Sequence, residues 1–374
     1  MSEWKEYNLN EVYDFASGLS KGASEFGFGH GFLGFKDVFH NFFAPDELTS
    51  LVNSTEKEQE SCSIKRGDVF LTRTSETDED LGMSCVALKD YPKATFNGFT
   101  KRLRPKGNVE ILPEYAGFYF RSPRFRASVS GMSSITTRAS LNNSMLADLK
   151  IPVPSINEQK AISETLMALH KKIELLERQI NTLEKLGGTL FRQWFVDEAR
   201  ADWEIKQLDE FFPVITGKRD ANFATENGKY PFFTCSQKSF KCDSYSFDGH
   251  SILLAGNGDF SVKRYKGKFD AYQRTYVLIP KEEKYVGFLF YLMQYFLNDI
   301  TMGAQGSVIS FLTKGMITDY KFPFPKNDYD EKLIKINSLN NKIDANVHQI
   351  ENLTKLRNSI SPKIFNKQIF VNYE

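Results

Sequence analysis

The chain has 374 residues, of which 41% are apolar and 25% charged, and its formal net charge is +1 at pH 7. This length allows two or three domains that each bury a core, and no apolar run reaches the roughly 18 residues of a membrane span. The first residues lack the features of a secretory signal, and four cysteines without a Cys-x-x-Cys pair favour a reduced, cytoplasmic protein.

Charge is distributed unevenly along the first part of the chain. Residues 1–88 contain 7 Lys/Arg and 16 Asp/Glu, whereas residues 89–150 contain 11 and 4. Phosphate binding depends on the local field rather than on the total charge. Residues 89–150 are therefore a candidate for nucleic-acid binding, although a solvated basic surface explains the same charges equally well.

Residues 1–154 are predicted to form a first globular domain of mixed α/β structure. The glycine-rich segment Gly27–Phe35 lacks the Gly-x-Gly-x-x-Gly spacing of a dinucleotide site, and we predict a flexible loop there. An apolar run beginning at Val69 predicts a short strand, and Ile111–Ser122 predicts a short helix.

Residues 155–200 are predicted to form a long helix. Ser155 and Glu158 have the spacing of a capping box, with Pro154 before them. Gly187 and Gly188 interrupt the apolar pattern before a bulky aromatic end. The apolar residues are spaced alternately by four and three, which is the 3.5-residue period of a coiled-coil seam. These residues are Ile162, Leu166, Leu169, Ile173, Leu176, Ile180 and Leu183.

Residues 201–325 predict a second mixed domain, and residues 326–374 predict a second long helix. Strands are expected at Ser251 and Thr275, and a short helix at Tyr285–Asn298. Asn346 stands in the second helical seam, where a buried Asn would fix the register, although a solvated edge would accommodate it as well. The apolar seam residues are Ile336, Leu339, Ile343, Ile350 and Leu353.

The two halves are an internal repeat, which is the first pattern to look for in a chain of this length. Leu141–Pro154 and Leu312–Pro325 agree at six of 14 positions, and Trp4 and Trp203 open the two halves. Between these anchors the sequences diverge almost completely. Neither helix can bury its stripe alone. We therefore predict an α+β fold in which two long antiparallel coiled-coil helices separate two mixed α/β domains with pseudo-two-fold symmetry.

Basic and polar residues gather in the predicted loops of both variable segments. Arg, Lys and Asn side chains can contact base edges, whereas Ser and Thr hydroxyls favour phosphates. For any single residue ordinary surface exposure is the commoner explanation, so the prediction rests on the recurrence in both halves. The candidate DNA-contacting residues are Arg73, Arg102, Arg104, Thr136, Thr137, Arg138, Lys218, Arg219, Asn257, Lys263, Arg264 and Arg274.

Motifs of catalysis and metal binding are missing from the sequence. There is no P-loop, no Gly-x-Ser-x-Gly elbow and no His-Glu-x-x-His, and the five histidines are isolated. Cys235 and Cys242 have no second pair, which argues against zinc. The Phe-Pro-Phe-Pro segment at Phe322 lacks the polar residue of an adenine methyltransferase motif. We expect no catalytic residue, no metal and no cofactor bound by this chain.

The duplicated order of variable segment, Pro-x-Pro and heptad helix resembles the specificity subunit of Type I restriction-modification systems. The resemblance covers essentially the whole chain and is carried by Leu146–Ile162, Leu190–Asp197 and the starts at Trp4 and Trp203. The second Pro-x-Pro departs from the pattern, because it lacks the Glu-Gln that follows the first.

The resemblance implies that residues 1–154 and 201–325 are target recognition domains, each reading one half of a split site on double-stranded DNA. It implies that residues 155–200 and 326–374 form a helical spacer that docks two methyltransferase subunits. Those subunits use S-adenosylmethionine to methylate adenine. The resemblance also implies restriction subunits as partners, which in that family are motor-nucleases that use ATP and Mg and can join to cleave unmodified DNA.

Two other functions remain open from the sequence. The chain could be a coiled-coil adaptor that joins two protein-binding domains, in which case its complexes would show no salt-dependent DNA retention. It could also be an enzyme, such as the recognition half of a fused nuclease-methyltransferase. The missing cofactor motifs argue against an enzyme, and methyl transfer by the purified chain alone would support it.

Overall fold

The structure, a computed structural model, describes residues 4–75, 80–132, 139–302, 311–369 and 371. The chain separates into two compact units. Unit 1 consists of Met1–Glu174 and Glu351–Glu374, and unit 2 of Leu175–Ile350. Each long helix therefore contributes one part to each unit.

Unit 1 combines short strands and helices around two apolar clusters. Its described strands are β1 (Lys5–Asn8), β2 (Tyr13–Ser17), β3 (Phe26–Leu33), β4 (Leu51–Val52), β5 (Val69–Thr72), β6 (Thr74–Ser75), β7 (Ser84–Val86), β8 (Thr95–Phe96), β9 (Thr100–Pro105), β10 (Ala139–Ser140) and β11 (Lys150–Val153). Its described helices are α1 (Leu9–Val12), α2 (Phe35–His40), α3 (Glu56–Ser61), α4 (Pro113–Tyr119), α5 (Pro123–Ser130), α6 (Asn143–Asp148) and the first part of α7 (Ile156–Arg192).

Unit 2 has the same mixture, and a π-helical turn at Gln193–Asp197 extends α7. Its described strands are β12 (Glu204–Gln207), β13 (Val214–Thr216), β14 (Tyr230–Phe233), β15 (Phe240–Cys242), β16 (Phe247–Ala255), β17 (Val262–Ala271), β18 (Thr275–Leu278) and β19 (Lys321–Phe324). Its described helices are α8 (Val286–Tyr295), α9 (Leu297–Thr301), α10 (Lys314–Thr318) and the first part of α11 (Asp330–Phe365). The strands predicted at Val69, Ser251 and Thr275 and the helices predicted within Ile111–Ser122 and Tyr285–Asn298 are confirmed.

The two variable segments have corresponding strand orders although their sequences differ. In unit 1 the strand orders are β2-β9-β5-β7 and β4-β3-β8, and in unit 2 a single sheet runs β13-β18-β16-β17-β14-β15. The long strand β17 takes the place of β7 and β8 together. In both units the pairing at this point is parallel, between β3 and β8 and between β14 and β17. The internal repeat therefore extends into the segments whose sequences diverge.

Each variable segment is closed by a clasp, the antiparallel pairing of its first strand with its last. Lys5 of β1 lies opposite Val153 of β11, and Glu204 of β12 lies opposite Phe324 of β19. In both clasps the residue after the opening Trp faces the residue after the first proline of Pro-x-Pro. The identical register explains why these anchors repeat, since they are neighbours in space.

The start of α7 is capped by Ser155, which is one half of the predicted capping box, and it is also bonded to the clasp. The Ser155 hydroxyl accepts a hydrogen bond from the Glu158 backbone N–H at 3.3 Å. The buried Glu158 carboxylate accepts a hydrogen bond from the Trp4 indole N–H at 2.9 Å. Trp4 therefore links the first strand of unit 1 to the first turn of the helix.

The two long helices pack antiparallel, as the contacts within unit 2 show. Lys332 near the start of α11 contacts Glu198 just beyond α7, at 3.0 Å, whereas Asn346 further along α11 donates to Gln179 earlier in α7, at 3.3 Å. Asn346 is 1% exposed, so it lies in the seam and not at a solvated edge. The buried seam residues are Ile162, Leu166, Ile173, Leu176, Ile336 and Ile343. The half-buried ones are Leu169, Ile180, Leu183, Leu339, Ile350 and Leu353.

The prediction of a flexible loop at Gly27–Phe35 is wrong, because most of this segment forms β3. The strand pairs antiparallel with β4 and parallel with β8, and its register with β4 shifts between Phe26 and His30. Gly29 has a φ of +94°, and a Cβ there would meet the Val52 carbonyl group. The glycines therefore allow a distorted strand to approach its neighbour closely.

The two glycines of α7 do not interrupt the helix, which continues through both to Arg192. A Cβ at Gly187 would meet the ring and hydroxyl of Tyr291, which is 2% exposed in the core of unit 2. A Cβ at Gly188 would meet no atom within 4 Å. Only the first glycine is required by packing.

Alanine substitutions at these two positions should have opposite effects on stability. Gly187→Ala should destabilise the protein by about 1–3 kcal/mol, because the core around Tyr291 must shift. Gly188→Ala should stabilise it by up to about 1 kcal/mol, because Ala favours an open helical position over Gly. Chemical denaturation of the two variants measures both effects, and equal stabilities would contradict the close approach of Tyr291.

His170 of α7 is enclosed by aromatic rings of unit 1. Its ring centroid lies 5.3 Å from those of Phe42 and Phe43 and 6.1 Å from that of Phe118. Burial, together with the positive charge of Arg357, lowers the pKa of His170 to about 4. The Glu174 carboxylate lies 3.3 Å from His170 Nε2 and is half exposed.

The folded state should therefore lose stability in acid through His170. Above about pH 6.5 the imidazole is neutral in both states. As the pH falls from there to about 4, the unfolded chain binds the proton first, which costs at most about 3 kcal/mol. In His170→Gln, the free energy of unfolding should change less between pH 6.5 and about 4 than it does in the wild-type protein. A variant that keeps the full slope would show that His170 is not the titrating group.

Candidate nucleic-acid interface

The polar loops of unit 1 meet where β5 ends. The Arg73 N–H donates to the Phe99 carbonyl group at 2.8 Å, and the Arg73 carbonyl group accepts from the Leu141 N–H at 2.8 Å. Three separate segments are thus joined by the backbone of one residue. The Arg73 side chain is exposed.

Unit 2 contains the same junction where β16 ends. The Gly256 N–H donates to the Arg274 carbonyl group at 2.8 Å, and the Gly256 carbonyl group accepts from the Leu312 N–H at 2.9 Å. Leu141 and Leu312 are aligned in the sequence repeat. We call these junctions the loop edges: Arg73, Phe99 and Leu141 in unit 1, and Gly256, Arg274 and Leu312 in unit 2.

A fourth segment joins each loop edge after a glycine. In unit 1 the Leu19 N–H donates to the Phe96 carbonyl group at 2.8 Å, and in unit 2 the Lys218 N–H donates to the Ala271 carbonyl group at 3.1 Å. A Cβ on the preceding Gly18 or Gly217 would meet backbone carbonyl groups. The close approach explains why both copies have glycine there.

The loop edges expose cations together with aromatic rings. In unit 1 the side chain of Arg73 is exposed, and Phe99 is 61% exposed. In unit 2 Lys218 and Arg274 are exposed, Asn257 is half-buried, and Phe311 is 42% exposed. Of the sequence candidates, Arg73, Lys218, Asn257 and Arg274 therefore lie at these edges. Phe99 was missed, although the Asn97-Gly98 turn signal before it could have indicated an exposed tip.

A space next to the loop edge of unit 2 could admit part of a ligand. It has a volume of about 330 Å³. Its lining residues are Thr216, Gly256, Gln273, Arg274, Tyr276, Phe311 and Leu312.

Lys101 forms side-chain hydrogen bonds next to the loop edge of unit 1. Its ammonium group donates to the Ser17 hydroxyl at 3.0 Å and to the Asn143 side-chain carbonyl at 2.9 Å. Burial lowers the pKa of Lys101, and the positive charge of Arg73 lowers it further. Two cationic groups are therefore held close together at this edge.

Arg102 and Arg104 of β9 serve the fold in this structure. The Arg104 guanidinium binds both oxygens of the fully buried Asp68, at 2.7 and 2.6 Å, and this bonding raises its pKa. Arg102 is 8% exposed and donates to the Ser63 carbonyl group at 2.7 Å. Burial lowers the pKa of Arg102. In this structure both guanidinium groups form their hydrogen bonds within unit 1.

The Arg264 side chain is also bound within the fold, and its contact with DNA stays a prediction. Its side chain is 6% exposed and binds both oxygens of Asp344 in α11, at 2.6 and 2.7 Å. It also donates to His250 Nε2 at 3.0 Å. Sequence reasoning could not find this role, because Asp344 lies 80 residues along the chain.

Two further candidates in unit 2 have partners within the fold. The Arg219 guanidinium binds the fully buried Asp270 at 3.1 Å and covers the ring of Phe223. Lys263 donates to the Ser236 carbonyl group, and burial lowers its pKa. Thr136, Thr137 and Arg138 lie outside the described residues.

Within the residues that the structure describes, no group of three or more His, Cys, Asp or Glu side chains is arranged to hold a metal ion. Among the same residues, no helix combines the length and the apolar character that crossing a bilayer requires.

A family model described as the Type I restriction modification DNA specificity domain matches residues 1–185 and 200–356. Each match begins near an opening Trp and includes one variable segment and most of the helix that follows it. The two matches together cover most of the chain.

Two curated proteins and one solved structure are similar to the chain. The EcoDI specificity subunit of Escherichia coli is 41% identical over 166 residues, which are 44% of this chain and 36% of that protein. The MjaIX specificity subunit of Methanocaldococcus jannaschii is 25% identical over 83% of this chain and 80% of that protein. The crystal structure of a Type I restriction-modification S subunit from M. genitalium has the same fold, with a TM-score of 0.63 and 17% identity, over 97% of this chain and 96% of that one.

The Arg264–Asp344 pair should matter for stability rather than for base contact. Asp344→Asn removes the counter-charge of a buried guanidinium and should destabilise the protein by roughly 2–3 kcal/mol. The control is Lys266→Ala, because Lys266 lies on the same strand as Arg264 but forms an exposed ion pair with Glu283, and its loss should cost at most about 1 kcal/mol. Thermal unfolding measures both, and equal losses would contradict a structural role for Arg264.

Proposed function

Because the chain belongs to the Type I restriction-modification DNA specificity family, we propose that it reads a split, asymmetric target on double-stranded DNA, one half-site with each variable segment. The recognition domains are residues 1–154 and 201–325, and the helical spacer consists of residues 155–200 and 326–374. Thr136, Thr137 and Arg138 remain candidates for base or phosphate contact.

The duplicated loop edge carries this proposal. The same backbone junction occurs in both units, at Arg73 and at Gly256, and its hydrogen-bond partners come from corresponding segments of the chain. The exposed side chains around the two junctions differ, with Phe99 in one and Arg274 in the other. The two units therefore share a backbone arrangement but expose different side chains. Because base edges differ in their donors, acceptors and methyl groups, different side chains would recognise different short sequences.

The coiled coil is the proposed spacer and docking platform. Helices of 37 and 36 residues extend on the order of 50 Å each at about 1.5 Å per residue. We propose that they fix the gap between the half-sites and bind two methyltransferase subunits. In this proposal the chain performs no chemistry, and its cytoplasmic partners use S-adenosylmethionine for methylation and ATP with Mg in the restriction subunits.

The spacer role predicts that shortening both helices together shortens the target. Deleting residues 171–177 and residues 348–354 removes one heptad from each helix and keeps the seam in phase. The loss of about 10 Å corresponds to roughly three base pairs at 3.4 Å each. The complex with methyltransferase subunits should then methylate sites whose half-sites lie closer together, as read by mapping methylated adenines in host DNA.

Two controls define this experiment. Lys172→Ala lies in the same window, preserves the length and should leave the target spacing unchanged. An unchanged spacing in the deletion variant would contradict the spacer role. If the wild-type complex retained no DNA at any salt concentration, the adaptor function would be favoured instead, since phosphate contacts make DNA binding salt-dependent.

A further inference from the structure

Phe99 is an unusual residue for a surface loop, because it is a large apolar side chain that is 61% exposed. The backbone around it is well fixed. Its N–H donates to the Asn97 side-chain carbonyl at 2.7 Å, and its carbonyl group accepts from the Arg73 N–H at 2.8 Å. The Thr100 hydroxyl donates to the Asn97 carbonyl group at 2.7 Å. The ring is therefore presented on a rigid tip.

Arg274 occupies the same structural position in unit 2. Its carbonyl group accepts from the Gly256 N–H, as that of Phe99 accepts from the Arg73 N–H. The next residue is a buried threonine in both units, Thr100 and Thr275. The N–H of each threonine donates three residues back, at 3.0 Å in unit 1 and 2.8 Å in unit 2. Phe99 and Arg274 are thus equivalent residues that sequence alignment would not pair.

We propose that this shared tip is a base-reading position, at which Phe99 contacts a thymine methyl group in one half-site and Arg274 contacts a guanine in the other. The proposal rests on the function proposed above. A phenyl ring has no hydrogen-bonding group, and the group that it can recognise in the major groove is the C5 methyl of thymine. A guanidinium can donate two hydrogen bonds to O6 and N7 of guanine.

The surroundings of both tips suit contact with DNA. In unit 1 the exposed Arg73 is hydrogen-bonded through its backbone to Phe99, and the ammonium group of Lys101 lies close by. The exposed charge of Arg73 would attract the phosphates that flank the base. In unit 2 the cavity of about 330 Å³ beside Arg274 leaves room for a base edge to approach the guanidinium.

The experiment uses the complete complex with methyltransferase subunits and its own target, identified by mapping methylated adenines. Each thymine of the target is replaced in turn by uracil, which lacks the methyl group, and each guanine by 7-deazaguanine, which lacks N7. One uracil should weaken binding roughly fourfold, the equivalent of one buried methyl group. One 7-deazaguanine in the other half-site should weaken it roughly 5- to 150-fold.

The variants then assign the contacts. Phe99→Ala should abolish the discrimination between thymine and uracil and leave the 7-deazaguanine effect unchanged, and Arg274→Ala should do the reverse. Phe28→Ala is the matched control, because Phe28 is another exposed phenylalanine of unit 1, 51% exposed on β3. It should change neither discrimination.

The outcomes separate this proposal from the proposed function. If the wild-type complex recognises no split target, the proposed function fails and this inference with it. If the target is recognised but Phe99→Ala keeps every thymine preference, or Arg274→Ala keeps every guanine preference, the reading position is wrong while the function stands. If Phe99→Ala prevents assembly of the complex, the ring contacts a protein, and the inference is overturned.

Discussion

The pairing of the first strand of each variable segment with its last is the constraint on which the rest of the structure depends. Because Lys5 faces Val153 and Glu204 faces Phe324 in identical register, each segment begins and ends at one place, next to the start of a long helix. The chain between can then change in length and sequence without moving that helix. The intervening segments differ in length, since Pro152 lies 148 positions after Trp4 but Pro323 only 120 positions after Trp203, yet their strands follow corresponding orders.

The features that were predictable from the sequence are those with a local period or a local turn signal. The seam from Ile162 to Leu183 has a 3.5-residue period that only a paired helix satisfies, and Ser155 caps that helix as its spacing with Glu158 indicates. The repeat was visible because an opening Trp and a Pro-x-Pro segment stand at the clasp of each half. The common topology of the variable segments was not visible, since backbone hydrogen bonds such as those of Arg73 and Gly256 leave no trace in side-chain identity.

Two kinds of feature could not be predicted from the sequence, because both depend on contacts between distant parts of the chain: the strand at Gly27–Phe35, where a loop was expected, and the partners of several basic residues. The glycines at positions 27 and 29 look like a loop, but their neighbours in space, β4 and β8, turn the segment into a strand. In the sequence, Arg264 cannot be distinguished from the other basic residues of the second segment, but in the structure it forms an ion pair with Asp344. The side chains of Arg102 and Arg104 are also hydrogen-bonded within the fold. A basic residue near a predicted loop therefore does not indicate a DNA contact until its partners in the fold are known.

One consequence concerns the order in which the protein can fold during synthesis. Ile364 and Phe365, at the end of α11, are buried in the core of unit 1, where the Phe365 ring lies 5.8 Å from that of Tyr115 and 5.6 Å from that of Tyr119. Unit 2 consists of one continuous segment, Leu175–Ile350. The ribosome therefore delivers every residue of unit 2 before it delivers the residues that complete the core of unit 1. Most of unit 1 is synthesised first, but its core can be completed only after unit 2 has left the ribosome. Until then, apolar residues of the unit 1 core stay exposed in the nascent chain.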